Sequence, residues 1–513
     1  MRLRHVSLVS AFLIALPLLA LKDPVRTANG SLSGSPGNNS EVQVYKGIPF
    51  AAPPLGDLRW RAPKAAPKWD GVRTADKFSA ICAQTPYPAG SLYGSAPQPT
   101  SEDCLYLNVW TAAKAASERR PVMVWIHGGA LTRGSGSTPT YDGESLAAKG
   151  VVLVTINYRL GVFGFMAHPE LTKESDRNSS GNYGFLDQIA ALEWVQKNIA
   201  AFGGDAKRVT IFGESAGSWS VNVLTASPLA KGLFQRAIGE SGGNFNPLKK
   251  LADAEQTGVK VAASVGAESL RALREKSTDE VMKASSASAF PAILDGWLLP
   301  ADIYAIYAAG KQNDVPIIVG SNADEGTSLA PWPSNGTAAA FEKQTRNRFG
   351  ADADRALELY PAKSDEEAKT AHYASFRDAS FGWQMRTWAR LETQTGKSRA
   401  YLYYFSHVPP GPQSSRYGAY HASEIAYVFN NLNIGKRQHE QIDDKLADMM
   451  SSYWVNFAKT GDPNGPGLPK WPAYSLSSDT ALEFGDQVKP VANLHKEQLD
   501  FLDQYFAKAR GPK

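Results

Sequence analysis

The chain of 513 residues contains only two cysteines, Cys82 and Cys104. So few exclude a disulfide-stapled mini-scaffold and a multi-cysteine zinc module. Neither stands beside a basic residue in sequence that would lower its pKa, which argues against a thiol nucleophile. Excess charge is missing too: 54 Lys and Arg stand against 50 Asp and Glu, a net charge of +4. Setting aside Arg2 and Arg4 narrows the balance further. That excludes the basic stripe of a nucleic-acid surface, and no run of like charge is long enough for an interaction tail. The sequence has no internal repeat and no long low-complexity linker. After the first twenty residues no apolar run is long enough to span a membrane. The zinc-like string His439-Glu440-Gln441-Ile442-Asp443 lacks the second histidine of a metalloprotease helix and reads as a solvated helix face. No metal and no organic cofactor are expected.

What is present is globular: 43% hydrophobic and 20% charged residues, neither a disordered nor a coiled-coil composition. A prior of roughly 150 residues per domain suggests three domains. With no hinge visible, 21–513 is read as one domain. The 44 Gly and 32 Pro predict a loop-rich protein, and the 12 Trp prompt a search for an aromatic cavity. Residues 1–20, MRLRHVSLVSAFLIALPLLA, place two arginines before a mostly apolar stretch. This is the order of a secretory signal peptide, which predicts an exported protein, secreted or periplasmic. In that setting Cys82 and Cys104 form one bridge around a Pro/Gly/Ser-rich loop, or remain two separate buried thiols.

Short apolar runs alternate with helical spacing. Pro121–Ile126, Val151–Ile156, Val209–Phe212, Val315–Val319 and Tyr401–Phe405 read as buried strands. Asp187–Ala201 reads as a helix, with Ile189, Leu192, Val195 and Ile199 on one face. The pattern predicts an α/β fold with a mostly parallel sheet covered on both faces. Irregular stretches such as 329–395 read as insertions around it.

Gly213-Glu214-Ser215-Ala216-Gly217 joins the Val209 strand to a helix-like run, Ser218–Ala226. A serine on such a turn is lifted above the sheet, and the helix N-terminus aims N–H groups at developing negative charge. A second copy, Gly239-Glu240-Ser241-Gly242-Gly243, follows only a short apolar run and leads into no helix, so context selects Ser215. Its base and acid should follow it along the chain. His407 and His421 remain equal candidates, and Asp324 and Glu325 share the end of the Val315 strand.

At these residues the chain resembles the type-B carboxylesterase family, the cholinesterase-like branch of the α/β-hydrolases. Phe202–Gly217 is similar to the family's active-site signature, and Glu102–Asn108 to a second signature. Residues 45–60, 157–165 and 453–464 are similar as well. The resemblance implies an α/β-hydrolase fold with large insertions forming a gorge. It implies an ester hydrolase acting on small to medium carboxylic esters, with Ser215 as nucleophile, His421 as base and Glu325 as its orienting acid. It assigns the oxyanion hole to the backbone N–H groups of Gly129, Ala130 and Ala216, and the Cys82–Cys104 pair to the family's first disulfide. Ser241 and Glu424, with Glu214, match a polar network behind the histidine, and Arg59–Glu102 matches a structural ion pair. Where the family loop reads His-Gly-Gly-Gly-aromatic, this chain reads His127-Gly128-Gly129-Ala130-Leu131. Alanine keeps the N–H, but the acyl pocket changes shape.

The contrasting readings are a catalytically silent binding or adhesion module and an amide or thioester hydrolase with the same triad. All three triad positions are filled, against the first. Specialisation for choline esters lacks support, because no tryptophan lies between Cys82 and Cys104; Tyr87 and Tyr93 are the aromatics there. Trp219, Trp297 and Trp332 are gorge candidates or ordinary packing residues. Arg133, three residues past Ala130, is expected at the gorge mouth, favouring esters that carry a carboxylate, or else as a solvated loop arginine.

Overall fold

The computed structural model describes residues 23–510 except 89, 95, 287–288 and 435–437, so the expected signal at 1–20 lies outside the described residues. Its organising element is a sheet of eleven strands. In chain order these are β1 (Ser35–Pro36), β2 (Gln43–Pro49), β3 (Tyr106–Thr111), β4 (Arg120–Ile126), β5 (Val152–Ile156), β6 (Gly204–Glu214), β7 (Arg236–Glu240), β8 (Ile317–Asn322), β9 (Ala400–Phe405), β10 (Thr480–Phe484) and β11 (Val488–Ala492). Across the sheet they run β11-β10-β9-β8-β7-β6-β4-β5-β3-β2-β1. Strands β10 through β5 in that order pair in parallel, and antiparallel strands close both edges.

The parallel strands are buried on both faces, as their unbroken apolar runs predict. On β4, Val122, Val124 and Ile126 enter one core and Met123 and Trp125 the other. Helices α1 (Tyr183–Asn198), α2 (Ala216–Ala226) and α3 (Trp383–Thr395) pack on the first face. Helix α4 (Gln441–Thr460) packs on the second. This is the α/β-hydrolase architecture.

One expectation is corrected and two are sharpened. The short run before the second Gly-Glu-Ser is strand β7, central in the sheet. It is hard to see in sequence because only Ala237 and Ile238 are apolar side chains there. The stretch 329–395 is largely helical, with Ala338–Phe349, Ala353–Leu359 and Asp365–Arg377 preceding α3. The string at 439–443 is solvated as expected at Glu440, Gln441 and Ile442, and only its last residue turns inward. Asp443 is buried and accepts hydrogen bonds from the Glu440 N–H and the Tyr427 hydroxyl, and it contacts His407 Nε2 at 2.8 Å.

Candidate active site

Strand β6 ends at Glu214, and Ser215 turns the chain into α2 with φ 57° and ψ −121°. That conformation costs an L-residue about 1–3 kcal/mol and persists only where its surroundings enforce it. Here they do. The Ser215 N–H donates to the Glu240 carbonyl at 2.8 Å, and the Ser215 carbonyl accepts from the Trp219 N–H at 2.9 Å. The flanking glycines are forced by contact: a Cβ on Gly217 would lie 2.0 Å from the Ile126 carbonyl oxygen, and one on Gly213 2.5 Å from the same atom. The serine is half-buried.

Parallel pairing brings β7 alongside in register, so that Gly213 faces Gly239 and Glu214 faces Glu240. Ser241 then repeats the left-handed backbone of Ser215, at φ 52°. It is fully buried, and its hydroxyl has no hydrogen-bond partner among the described residues.

His421 Nδ1 meets Glu325 Oε2 at 2.5 Å, and Nε2 lies 3.0 Å from Glu214 Oε1. Glu325 is fixed in turn by the Asn322 N–H, which donates to its Oε1 at 2.8 Å. The Asn322 side-chain amide donates to Glu424 Oε2 at 2.5 Å and to the Tyr420 carbonyl at 2.9 Å. All of these carboxylates are buried. Burial alone pulls the His421 imidazole down, but Glu214, Glu325 and the Glu325 hydrogen bond outweigh it and push the pKa up to about 9. Burial, reinforced by Glu325, pushes Glu424 up to about 7. Burial, reinforced by Glu424, raises Glu240 well above the carboxylate range.

The loop after β4 passes beside the serine. A Cβ on Gly128 would lie 2.7 Å from the Glu214 carbonyl and 3.1 Å from Ser215 Cβ. Gly129, Ala130 and Leu131 all have positive φ, at 103°, 56° and 59°. A Cβ on Gly129 would lie 2.2 Å from the Arg133 carbonyl, so only glycine fits there. Among the described residues, the N–H groups of Gly129, Ala130 and Ala216 are not spent on protein acceptors. His127 is held by stacking on Tyr158, whose hydroxyl donates to the His127 carbonyl.

Cys82 and Cys104 form a disulfide. The loop it closes crosses the site. Gln84 exchanges two 2.8 Å hydrogen bonds with the backbone of Gly134, the Tyr93 hydroxyl donates to Ser328, and the Tyr93 ring stands edge-on to His421. Phe381 also packs on the imidazole, with ring centroids 4.9 Å apart.

The structure thus brings Ser215, Glu214, His421, Glu325 and Glu424 together and sets the Gly129–Ala130 loop beside them. It also separates the candidates that sequence left equal. His407 lies between Asp443 and Asp486, and Asp324 Oδ2 accepts from the Ala419 N–H at 2.8 Å. Arg59 and Glu102 make a buried bidentate pair. Sequence reasoning missed Asn322 as the clamp on both acids, although it lies inside the Gly320–Gly326 motif. It also missed Phe381, whose segment carries no motif. Trp219, Trp297 and Trp332 are all half-buried, and Trp332 packs on His372. Among the described residues no cluster of His, Cys, Asp and Glu is arranged to hold a metal, and no helix is long and apolar enough to cross a membrane.

Fold and site define a hydrolase of the α/β class. The carboxylesterase family model matches residues 22–502. Fumonisin B1 esterase of Sphingopyxis macrogoltabida is 38% identical over 497 residues, covering 92% of this chain and 89% of that protein. Para-nitrobenzyl esterase of Bacillus subtilis (strain 168) is 36% identical over 482 residues, covering 90% and 95%. Carboxylesterase 1F of Mus musculus is 34% identical over 537 residues, covering 94% of each. The chain belongs to the carboxylesterase family and is a carboxylic-ester hydrolase.

Proposed function

We propose that the chain is an exported serine esterase that cleaves small to medium carboxylic esters through an acyl-enzyme. In this reading residues 1–20 are a signal peptide and 21–513 form one hydrolase domain. The observation that carries it is the imidazole of His421, held by Glu325 at Nδ1 with Nε2 turned toward the Glu214–Ser215 turn. His421 takes the proton of the Ser215 hydroxyl as its oxygen attacks the ester carbonyl. The carbonyl oxygen becomes an oxyanion and accepts from the N–H groups of Gly129, Ala130 and Ala216, each contributing roughly 3 kcal/mol to the transition state. His421 then protonates the departing alcohol. Water, deprotonated by the same imidazole, attacks the acyl-serine and restores the enzyme.

An ester panel graded in acyl and alcohol size tests the reading. Fumonisin B1 and para-nitrobenzyl esters serve as probes taken from the relatives' names. Ser215→Ala should lower kcat by about four orders of magnitude while the folded state survives. Turnover retained in that variant rejects Ser215 as nucleophile. A burst of alcohol equal to enzyme in the first turnover would support the acyl-enzyme; equal burst sizes in wild type and Ser215→Ala would remove it.

A further inference from the structure

Arg133 is half-buried beside the oxyanion loop, yet no carboxylate pairs with it among the described residues. Several more deeply buried arginines find carboxylates: Arg59 meets Glu102, Arg159 meets Asp187, Arg377 meets Asp378 and Arg386 meets Asp479, whereas half-buried Arg236, away from the oxyanion loop, pairs with none among the described residues. The guanidinium donors of Arg133 are not spent on a protein carboxylate among the described residues, which leaves them for an anionic group of a ligand.

Its position is fixed rather than free. The Arg133 N–H donates to the Gly129 carbonyl at 3.0 Å, which ties the residue to the turn carrying the oxyanion donors. The guanidinium lies over the Tyr87 ring, 5.3 Å from its centroid, a cation–π arrangement. Tyr87 belongs to the disulfide loop, and its hydroxyl reaches within 3.2 Å of where a Gly129 Cβ would stand. The paired hydrogen bonds of Gln84 with Gly134 fasten the two loops next to Arg133. Glu214 is the acidic group whose field reaches Tyr87 from the serine side.

We propose that Arg133, held by Tyr87, is the specificity-determining anion site of this esterase, and that its preferred esters carry a free carboxylate besides the scissile bond. The inference rests on the esterase reading above. A planar fork fixed in advance takes a carboxylate with two parallel hydrogen bonds and loses little side-chain freedom in doing so.

The test compares shape-matched pairs. Monoethyl glutarate is set against its primary amide for a carboxylate on the acyl side. O-acetyl glycolate is set against O-acetyl glycolamide for one on the alcohol side. Wild type should favour the acid of at least one pair in kcat/KM. In Arg133→Gln the acid-to-amide ratio for that pair should fall about tenfold, chiefly through KM, the size of one charge-assisted contact. Arg133→Lys, which keeps the charge but not the fork, should fall between the two. An unchanged ratio for both pairs in Arg133→Gln overturns the proposal. Should Arg133→Gln fail to fold, the wild-type ratio is followed as ionic strength rises from about 0.02 to 0.5 M. It should shrink as the charge is screened, and a salt-independent ratio overturns the proposal. Failure to cleave any of the four esters would count instead against the esterase reading and its size range.

Discussion

His421 bears two carboxylates at once, Glu325 on Nδ1 and Glu214 on Nε2. The base works only when neutral, so a pKa raised to about 9 carries a kinetic signature. The acidic limb of kcat/KM should lie above the ordinary histidine value of about 6.5. Glu214→Gln removes one of the two carboxyl groups that share the proton with the imidazole, the one that burial itself raises well above the usual carboxylate range. The limb should then move to lower pH by about one unit or more, read from a kcat/KM–pH profile. An unmoved limb would show that Glu214 has no electrostatic hold on the base. Glu240 poses the opposite case. Its folded pKa is raised by burial, so the folded state holds that proton more tightly than the unfolded chain does. Its stability contribution is therefore present below the unfolded value of about 4.5 and is lost as pH rises through the folded pKa. Glu240→Gln should gain Tm relative to wild type at pH 8 compared with pH 5, measured by thermal scans at both. A difference that does not grow with pH would contradict the assignment.

At the scale of elements, the elbow exists because β4, β6 and α2 approach closely at Gly213 and Gly217. Gly217→Ala sets a methyl carbon 2.0 Å from the Ile126 carbonyl, a clash with backbone that no side chain can relieve. It should destabilise the fold by about 3 kcal/mol or more, read from the denaturation midpoint or from loss of folded yield. The same scale explains what was legible in sequence. Strands β4, β5, β6, β8 and β9 are buried on both faces and announce themselves as apolar runs. Strand β2 (QVYKGIP) mixes polar and apolar residues near an edge, and β7 has only two apolar side chains, Ala237 and Ile238, between Arg236 and Gly239, so neither shows. The helix Ala338–Phe349 buries only Phe341, Thr345 and Phe349, too thin a stripe to stand out among polar residues. The choice between His407 and His421 was beyond local pattern altogether, because Glu325 and His421 are 96 residues apart. Only the resemblance separated them in sequence; in the structure β8 and β9 lie adjacent and bring the pair together.

At the scale of the molecule, the Cys82–Cys104 bond holds a loop that touches the oxyanion turn, the helix after Glu325 and the imidazole. Replacing both cysteines by serine frees a loop spanning 22 positions, which should cost about 3 kcal/mol in the chain-entropy view. Because the loop carries Tyr87 and Tyr93, KM should rise as well as Tm fall. Ester kinetics and a thermal scan of the double variant check both, and a lower Tm with unaltered KM would confine the bridge to a structural role.

Strands β6 and β7 present the same Gly-Glu-Ser tripeptide side by side with the same backbone hand, but one serine is half-buried and the other wholly so. The tripeptide and the sign of φ are matched, but only Ser215 opens a helix and only Ser215 is accessible. A fluorophosphonate reagent should modify the protein once per chain. Peptide mapping should find the adduct on the copy at 213–217, and none at 239–243 until the protein is unfolded. The molecule carries its own internal control for the idea that the motif alone does not make a serine reactive.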